Sequence, residues 1–438
     1  MALLIIGLII GFACFGLLTY KLISFIKNKQ IGDLEDKKLK IFFLVLIASQ
    51  GLFTIMSSFG FVLLNNYVLR VPDVFRLIFG SYMFGTGWNA LFSSFVLYYY
   101  KPSINEKLRK IIRIILFCSI PVFVFGLIFM ADGFAYYMEY PLPVGISIDK
   151  GLVNYAEAYS ASFVVRFYGI CVVGGACVTY FICDHYFYKK FKRHGIIDTL
   201  FLVAFPSGLV GARLWYCLVL EPETYLSNPV SIFHIWDGGL AIQGGALLGI
   251  IAGITYMLIF RKYVDIRFAI DVIIPCILVA QAIGRWGNFF NAEVHGNEVL
   301  LSNWNWLPLF ITKQMQYTSI AGSTNVSTSE GMIYLPLFLI ESVSNLCGYF
   351  LISKGVGIGL KKYVKGGVQA SLYLVWYGLT RVILEPLRYG NESSGSAFMY
   401  SQSFYTAIAM VIAGVVIALI FQFVVPIIEN KIKQQKNV

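Results

Sequence analysis

Charge is what this 438-residue chain has least of: 13% of its residues are Asp, Glu, Lys or Arg, against about 25% in a soluble protein. That deficit excludes an ordinary soluble enzyme. The eight cysteines show no Cys-x-x-Cys spacing and all fall inside apolar runs, which argues against disulfides and metal clusters. No Ser-His-Asp arrangement is visible, so a nucleophile supplied by the chain itself is not indicated. No internal repeat relates the two halves. Although the net charge is +11, no basic face or RNA-binding motif accompanies it, and nucleic acid is not an expected partner.

What fills the space is apolar: 58% of the residues are hydrophobic, with a mean hydropathy of +0.73. Runs of about 20 apolar residues bounded by charge read as membrane-spanning helices. Eleven are expected, near 2–26, 41–65, 77–100, 114–131, 161–187, 197–220, 239–260, 268–290, 333–353, 369–389 and 402–425. The fold class is therefore an all-α polytopic membrane protein. The first run lacks a basic leader and reads as a retained span. The first four spans, to about residue 155, form an N-terminal extension, and 156–438 form a seven-helix core with an exterior loop at about 291–332.

Lys and Arg collect in alternate loops: Lys21 to Lys40, Lys101 to Arg113, Lys189 to Arg193, Arg261 to Arg267, Lys354 to Lys365, and the C-terminal tail. The positive-inside rule places those loops in the cytoplasm, with the N-terminus outside and the C-terminus inside. Five arginines stay within or at the edge of spans: Arg166, Arg213, Arg285, Arg381 and Arg388. Each costs about 2.5–3.5 kcal/mol at mid-membrane on insertion scales. All five fall in the outer half, and Arg213, Arg285 and Arg381 lie about 7 to 12 Å below the outer span ends at 1.5 Å per residue. They either snorkel and pair with acids or share an anion site, and their common side favours the second.

Two stretches depart from the general apolarity. Trp236-Asp-Gly-Gly-Leu-Ala-Ile-Gln-Gly-Gly-Ala-Leu-Leu-Gly249 opens a span with two Gly pairs. Such a start can present bare N–H groups to an anion or pack tightly on a neighbouring helix. Gln281-Ala-Ile-Gly-Arg-Trp-Gly-Asn-Phe-Phe-Asn-Ala-Glu-Val-His-Gly296 ends another span and gathers Arg285, Asn288, Asn291 and Glu293 among glycines. A lipid-facing helix could hardly carry that polar cluster. Further on, Arg381-Val-Ile-Leu-Glu385 is an i,i+4 ion pair, followed by Pro386 and Arg388.

The run from Gly284 to Gly296 resembles the signature of prolipoprotein diacylglyceryl transferases, bacterial inner-membrane enzymes. Arg166-Phe-Tyr-Gly169, Gly211-Ala-Arg213, the Gly-Gly-Leu-Ala-Ile-Gln-Gly-Gly stretch, Pro336 with Glu341, and Arg381 with Glu385 follow in the family's order. Two departures stand out: Gln243 occupies a place where the family often has His, and the family's His-Pro-x-Gln-x-Tyr-Glu is here Leu335-Pro-Leu-Phe-Leu-Ile-Glu341. The extension has no counterpart in the family core.

The resemblance implies transfer of an sn-1,2-diacylglyceryl group from phosphatidylglycerol to the lipobox cysteine thiol of a prolipoprotein signal peptide, at the outer leaflet of the cytoplasmic membrane. It implies no cofactor and no metal. Arg285 is expected on the phosphate, with Asn288, Gly244 and Gly245 orienting the headgroup and Arg381, held by Glu385, supplying a second positive charge. Tyr168 is expected to hydrogen-bond the headgroup or thiol, Gln243 to bind, and Glu293, Gly296 and Arg213 to complete the lipid site. His234 and His295 are candidates for taking the thiol proton, read more simply as solvated polar residues. A transporter or flippase for an anionic lipid or solute is the alternative.

Overall fold

Apolar composition of this kind is stable only where helices satisfy their own backbone and turn hydrocarbon outward. The computed structural model describes residues 106–135, 140–147, 151–153, 164–192, 195–233, 239–261, 264–318, 326–388 and 394–436, with a few positions of 76–94 before them. The spans expected near 2–26 and 41–65, most of the one near 77–100, and His234 and Trp236 lie outside the described residues. Among those described, five helices are long and apolar enough to cross a membrane: Ile111–Gly133, Phe167–Phe191, Ile196–Leu220, Ile266–Phe290 and Ser403–Ile432. The chain is a mostly helical membrane protein, as its composition requires.

The chain divides into two compact units, Met1–Tyr140 with Leu301–Lys313, and Pro141–Leu300 with Gln314–Val438. In the first, helix α1 (Glu106–Phe134) carries an internal Pro121. A Cβ added at Gly87 would lie 2.6 Å from the Phe123 Cα, so glycine permits a close helix crossing there.

The second unit begins with a three-stranded sheet of β1 (Gly145–Ser147), β2 (Gly151–Val153) and β3 (Val164–Arg166), ordered β2-β1-β3. Strands of three residues are too short for a period-2 signal, which is why an all-helical reading passes over them. Helices α2 (Phe167–Phe191), α3 (Ile196–Trp215), α4 (Pro222–Ser227), α5 (Ile242–Ile259) and α6 (Ile266–Phe290) follow. Strand β4 (Glu298–Leu300), helix α7 (Leu309–Gln314), and strands β5 (Tyr317–Thr318), β6 (Val326–Ser327) and β7 (Met332–Tyr334) make up the loop after α6. Last come α8 (Leu337–Tyr349), α9 (Val368–Leu384), α10 (Ser394–Leu419) and α11 (Val425–Lys436).

Helix α6 is the centre of the second unit, packing on α2, α8 and α9, while α3 packs on α5 and α9 on α10. Its start is capped by the Asp265 carboxylate, which accepts from the Phe268 N–H at 3.2 Å. Large apolar side chains point outward (Phe117, Leu202, Ile259 and Phe423 are all well exposed), while Asp184, Asp271, Asn288, Asn345 and Glu341 are buried. This inversion suits a solvent made of lipid tails.

Candidate active site

The site is built on the last turn of α6. Asn291 N–H donates to the Gly287 carbonyl at 3.1 Å and Ala292 N–H to Phe289 at 3.2 Å, closing the helix. The chain then reverses through two left-handed residues, Ala292 at φ 49° and Val294 at φ 57°. Non-glycine residues occupy that region only where their surroundings demand it. Here the reversal returns Glu293 over the helix: its backbone N–H donates to the Asn288 carbonyl at 3.0 Å. Its carboxylate accepts from Asn288 Nδ2 at 3.0 Å and Asn291 Nδ2 at 3.2 Å. Asn288 Oδ1 in turn accepts from Arg285 Nη1 at 3.4 Å.

A second line of charge starts from the same arginine. Arg285 pairs through Nε with Glu341 of α8. The other oxygen of Glu341 meets Arg388 Nη2 at 3.1 Å. Arg388 Nε faces Glu385 at 3.5 Å, and Glu385 is 3.0 Å from Arg381 Nη1. Arg381 Nη2 also donates to the Ser403 hydroxyl at 3.1 Å. The order Arg285–Glu341–Arg388–Glu385–Arg381 thus joins α6, α8 and the end of α9.

With Glu293 included, three guanidiniums stand with three carboxylates, so the cluster carries no formal excess charge. It is rich in directed donors instead: Arg285 Nη2 has no protein partner among the described residues. Glu341 is 3% exposed, whereas the three arginine side chains are 18 to 19% exposed. The carboxylates are buried supports and the guanidinium edges reach the open side.

A short clasp fixes these elements to one another. Gly296 N–H donates to Leu335 O at 2.9 Å, Leu335 N–H to Asn297 O at 3.0 Å, and Asn297 N–H to Leu387 O at 3.2 Å. Strands β4 and β7 continue it antiparallel, Glu298 opposite Tyr334. Gly296 forms a bridge with Arg388, and a Cβ there would lie 2.7 Å from Leu335 Cβ and 2.8 Å from the Leu387 carbonyl oxygen. Only glycine admits that approach.

Tyr168, in the first turn of α2, lies against Gly287, where a Cβ would sit 2.6 Å from its ring. It is within electrostatic range of Glu293 and Arg285. The structure therefore brings Tyr168, Arg285, Asn288, Glu293, Gly296, Arg381 and Glu385 to one end of the unit.

Other expected residues have partners of their own. Arg213, 4% exposed, donates to the carbonyls of Ile232, Ser231 and Gly239 at 2.9, 2.8 and 3.1 Å, and lies over the Tyr225 ring. It ties down the loop after α3. Gly244 and Gly245 take the packing alternative: a Cβ on Gly244 would run into the Gly211 carbonyl and the Trp215 side chain, and one on Gly245 would lie 3.2 Å from Gly208 O. The Gly245 N–H is used within α5, donating to Ala241 O at 3.2 Å. Gln243 is exposed in the first turn of α5, a helix that packs chiefly on α3. His295 is not solvated. It is 5% exposed and stacks on Tyr334 with centroids 4.0 Å apart; burial lowers its pKa against the smaller opposing effect of its bond to Gly296 O.

Against this geometry, the sequence profile described as prolipoprotein diacylglyceryl transferase matches residues 157–420. The chain belongs to that family. A phosphatidylglycerol–prolipoprotein diacylglyceryl transferase of Streptococcus suis is 37% identical over 225 residues, covering 51% of this chain and 77% of the relative. Relatives of the same name from Streptococcus agalactiae and Lactococcus lactis subsp. cremoris are each 35% identical, over 54% and 58% of this chain and 85% and 88% of their own lengths.

Sequence reasoning gave no role to three residues of the candidate site or its supports. Arg388 was visible as an intramembrane arginine and Glu341 as a motif position, yet their contact is a long-range one that no spacing reveals. Gln314 gave no signal at all. It is 0% exposed, donates through Nε2 to the Phe289 carbonyl at 3.0 Å, and accepts from the Leu142 N–H at 2.8 Å.

Proposed function

We propose that the arginine cluster holds the phosphate of phosphatidylglycerol while its diacylglyceryl group passes to the cysteine thiol of a prolipoprotein. The chain is a phosphatidylglycerol–prolipoprotein diacylglyceryl transferase, and this is the first step of lipoprotein maturation. One observation carries the placement: Arg285, Arg388 and Arg381 are drawn together by two shared carboxylates, with donors left over. Because the cluster is formally neutral, its pull on phosphate comes from fixed, directed N–H groups in a low-dielectric setting rather than from bulk positive charge.

In the reaction the cysteine sulfur attacks the glyceryl carbon that bears the phosphate. The C–S bond forms as the C–O bond breaks, and glycerol phosphate leaves with the electron pair. Negative charge grows on the departing oxygen, where Arg285 Nη2 and the outward edges of Arg381 and Arg388 stabilise it without releasing a proton. Glu341, Glu385 and the Glu293–Asn288 pair hold those edges in place. Tyr168 offers its hydroxyl to the headgroup or the thiol. Guanidinium edges favour thiolate over thiol, so the proton is released to solvent before attack and no base is required of Gln243, a carboxamide.

Eleven spans, with the N-terminus outside and the C-terminus in the cytoplasm, put this end of the core at the outer leaflet. Helix α6 supports that orientation. Arg267, near its start, and Arg285 are separated by about 27 Å at 1.5 Å per residue, close to the hydrocarbon thickness of about 30 Å. Lys190, paired with Asp265 at 2.7 Å, lies at the opposite end from the site, among the basic loops. Labelling of a lipobox peptide from phosphatidylglycerol tests the assignment: the wild-type chain labels it and Arg285→Ala, normally inserted, does not. Near-normal labelling by the variant overturns the placement.

A further inference from the structure

The arginine cluster has a second polar tier one helical turn beneath it. Residues four apart share a helix face, and each of the three helices that supply the cluster repeats a polar side chain one turn further from the site end: Gln281 below Arg285 on α6, Asn345 below Glu341 on α8, and Tyr377 below Arg381 on α9. All of these lie within the second unit. Hydrogen bonds tie the tier together. The Ser342 hydroxyl donates to the Ala282 carbonyl at 2.9 Å, which sets this turn of α8 against that of α6. Gln281 Nε2 donates to the Tyr373 hydroxyl at 3.1 Å, and Tyr373 stacks on Tyr377 with centroids 5.9 Å apart. The Trp376 indole N–H donates to the Ser344 carbonyl at 3.1 Å and joins α9 to α8.

Two oxygens of this tier are left over. Gln281 Oε1 and Asn345 Oδ1 are buried and accept from no described residue, and Asn345 is only 2% exposed. An amide oxygen inside a membrane core is costly to desolvate unless a donor answers it. Both groups are neutral acceptors, so the ligand chemistry they fit is an O–H donor and not an anion. The distance is also suitable. Side chains at i and i+4 have Cβ atoms about 5–6 Å apart, a step that a three-carbon headgroup spans from a phosphate held by Arg285.

We propose that Gln281 and Asn345 receive the hydroxyls of the phosphatidylglycerol headgroup and so set the choice of lipid. This rests on the reading of Arg285 as the group that holds the phosphate. The headgroup glycerol then runs from Arg285 toward the tier below, and each of its two hydroxyls finds an acceptor that the protein does not use itself. Ordered water is the other source of O–H donors for these oxygens. The two sources differ in what they do to lipid choice, because a site built to bond a substrate hydroxyl rejects the analogue that lacks it, whereas bound water is indifferent to the headgroup. Each acceptor left unanswered by such an analogue costs about 10- to 100-fold in kcat/KM.

The test uses the full chain in phosphatidylcholine vesicles doped with either phosphatidylglycerol or phosphatidylpropanol, which keeps the three-carbon headgroup and lacks its hydroxyls. Labelling of a lipobox peptide gives kcat/KM for each lipid. The wild-type chain is expected to favour phosphatidylglycerol by at least about 10- to 100-fold. Gln281→Met and Asn345→Leu, close in size and without the acceptor, are each expected to lower kcat/KM on phosphatidylglycerol by about 10- to 100-fold and on phosphatidylpropanol far less, so that the ratio between the lipids narrows. A ratio unchanged in both variants, whether or not Tm falls, assigns the two oxygens to water or to packing and overturns the inference. A wild-type chain that uses the two lipids equally overturns it without any variant, which covers the case in which Asn345→Leu does not accumulate. Arg285→Ala separates the two readings: if it labels normally, the phosphate assignment fails, and if it is inactive while the lipid ratio of Gln281→Met and Asn345→Leu stays that of the wild type, the hydroxyl assignment fails alone.

Discussion

The two ends of α6 both bury charge, and they do so differently. At the start, Asp271 accepts from the Gly367 N–H at 2.7 Å and the Ala370 N–H at 3.0 Å, giving α9 a cap from a neighbouring helix. That carboxylate is answered by backbone donors which would otherwise be orphans. At the far end Arg285, Arg388 and Arg381 share carboxylates, yet keep N–H groups that no described residue accepts. Burial of a charged group therefore does not mark function in this fold. What distinguishes the two ends is whether the hydrogen-bonding capacity is used up.

Substitutions can break or sharpen this contrast. The largest effect belongs to Arg285→Ala, which on the proposed placement removes the donors for the leaving phosphate; kcat is expected to fall about 10²- to 10³-fold, read by peptide labelling. Glu341→Gln comes next. It leaves two guanidiniums without their buried counter-charge, costing about 3–5 kcal/mol of stability, and a fall in Tm together with lost labelling is the expected result. Asp271→Ala strands two buried N–H groups at about 1–3 kcal/mol each. The Tm drops, while the rate per folded molecule holds; a catalytic loss equal to that of Arg285→Ala would erase the distinction between the ends.

The smallest effect is a pH dependence from His295. Its pKa is lowered by burial, so the unfolded chain, with an ordinary value of about 6.5, binds the proton more readily. The stability it contributes is complete above about pH 6.5 and is lost as the pH falls toward the folded value. A Tm that declines between about pH 7 and 5.5 in the wild type, and less in His295→Phe, which keeps the stack on Tyr334, is the expected pattern.

Much of the site was legible because it is local. Arg285, Asn288 and Glu293 fall within nine residues, and the i,i+4 pair of Arg381 and Glu385 is visible in any helical reading. Helix spacing also suggested that arginines on different spans would meet, and three of the five do. The remaining residues were harder to read because their contacts are set by packing that the sequence does not display. Arg213 has the same residue type and depth as Arg285, but three carbonyls of its own loop engage it. Gly244 and Gly245 offered two roles that composition could not separate until Gly211 was seen against them. Gln314, set between Lys313 and Met315, looks like any loop amide, and only the fold shows both of its ends occupied. The excursion of 301–313 into the N-terminal unit leaves no trace in periodicity, because six-residue helices and three-residue strands carry too few turns to register.

The most direct measurement is an experimental structure with phosphatidylglycerol bound. The account expects the phosphate oxygens at about 3 Å from Arg285 Nη2, with Arg381 or Arg388 completing the contact and Glu341 still in place behind them. A headgroup resting elsewhere, with Arg285 unchanged on Glu341 and Asn288, would contradict it.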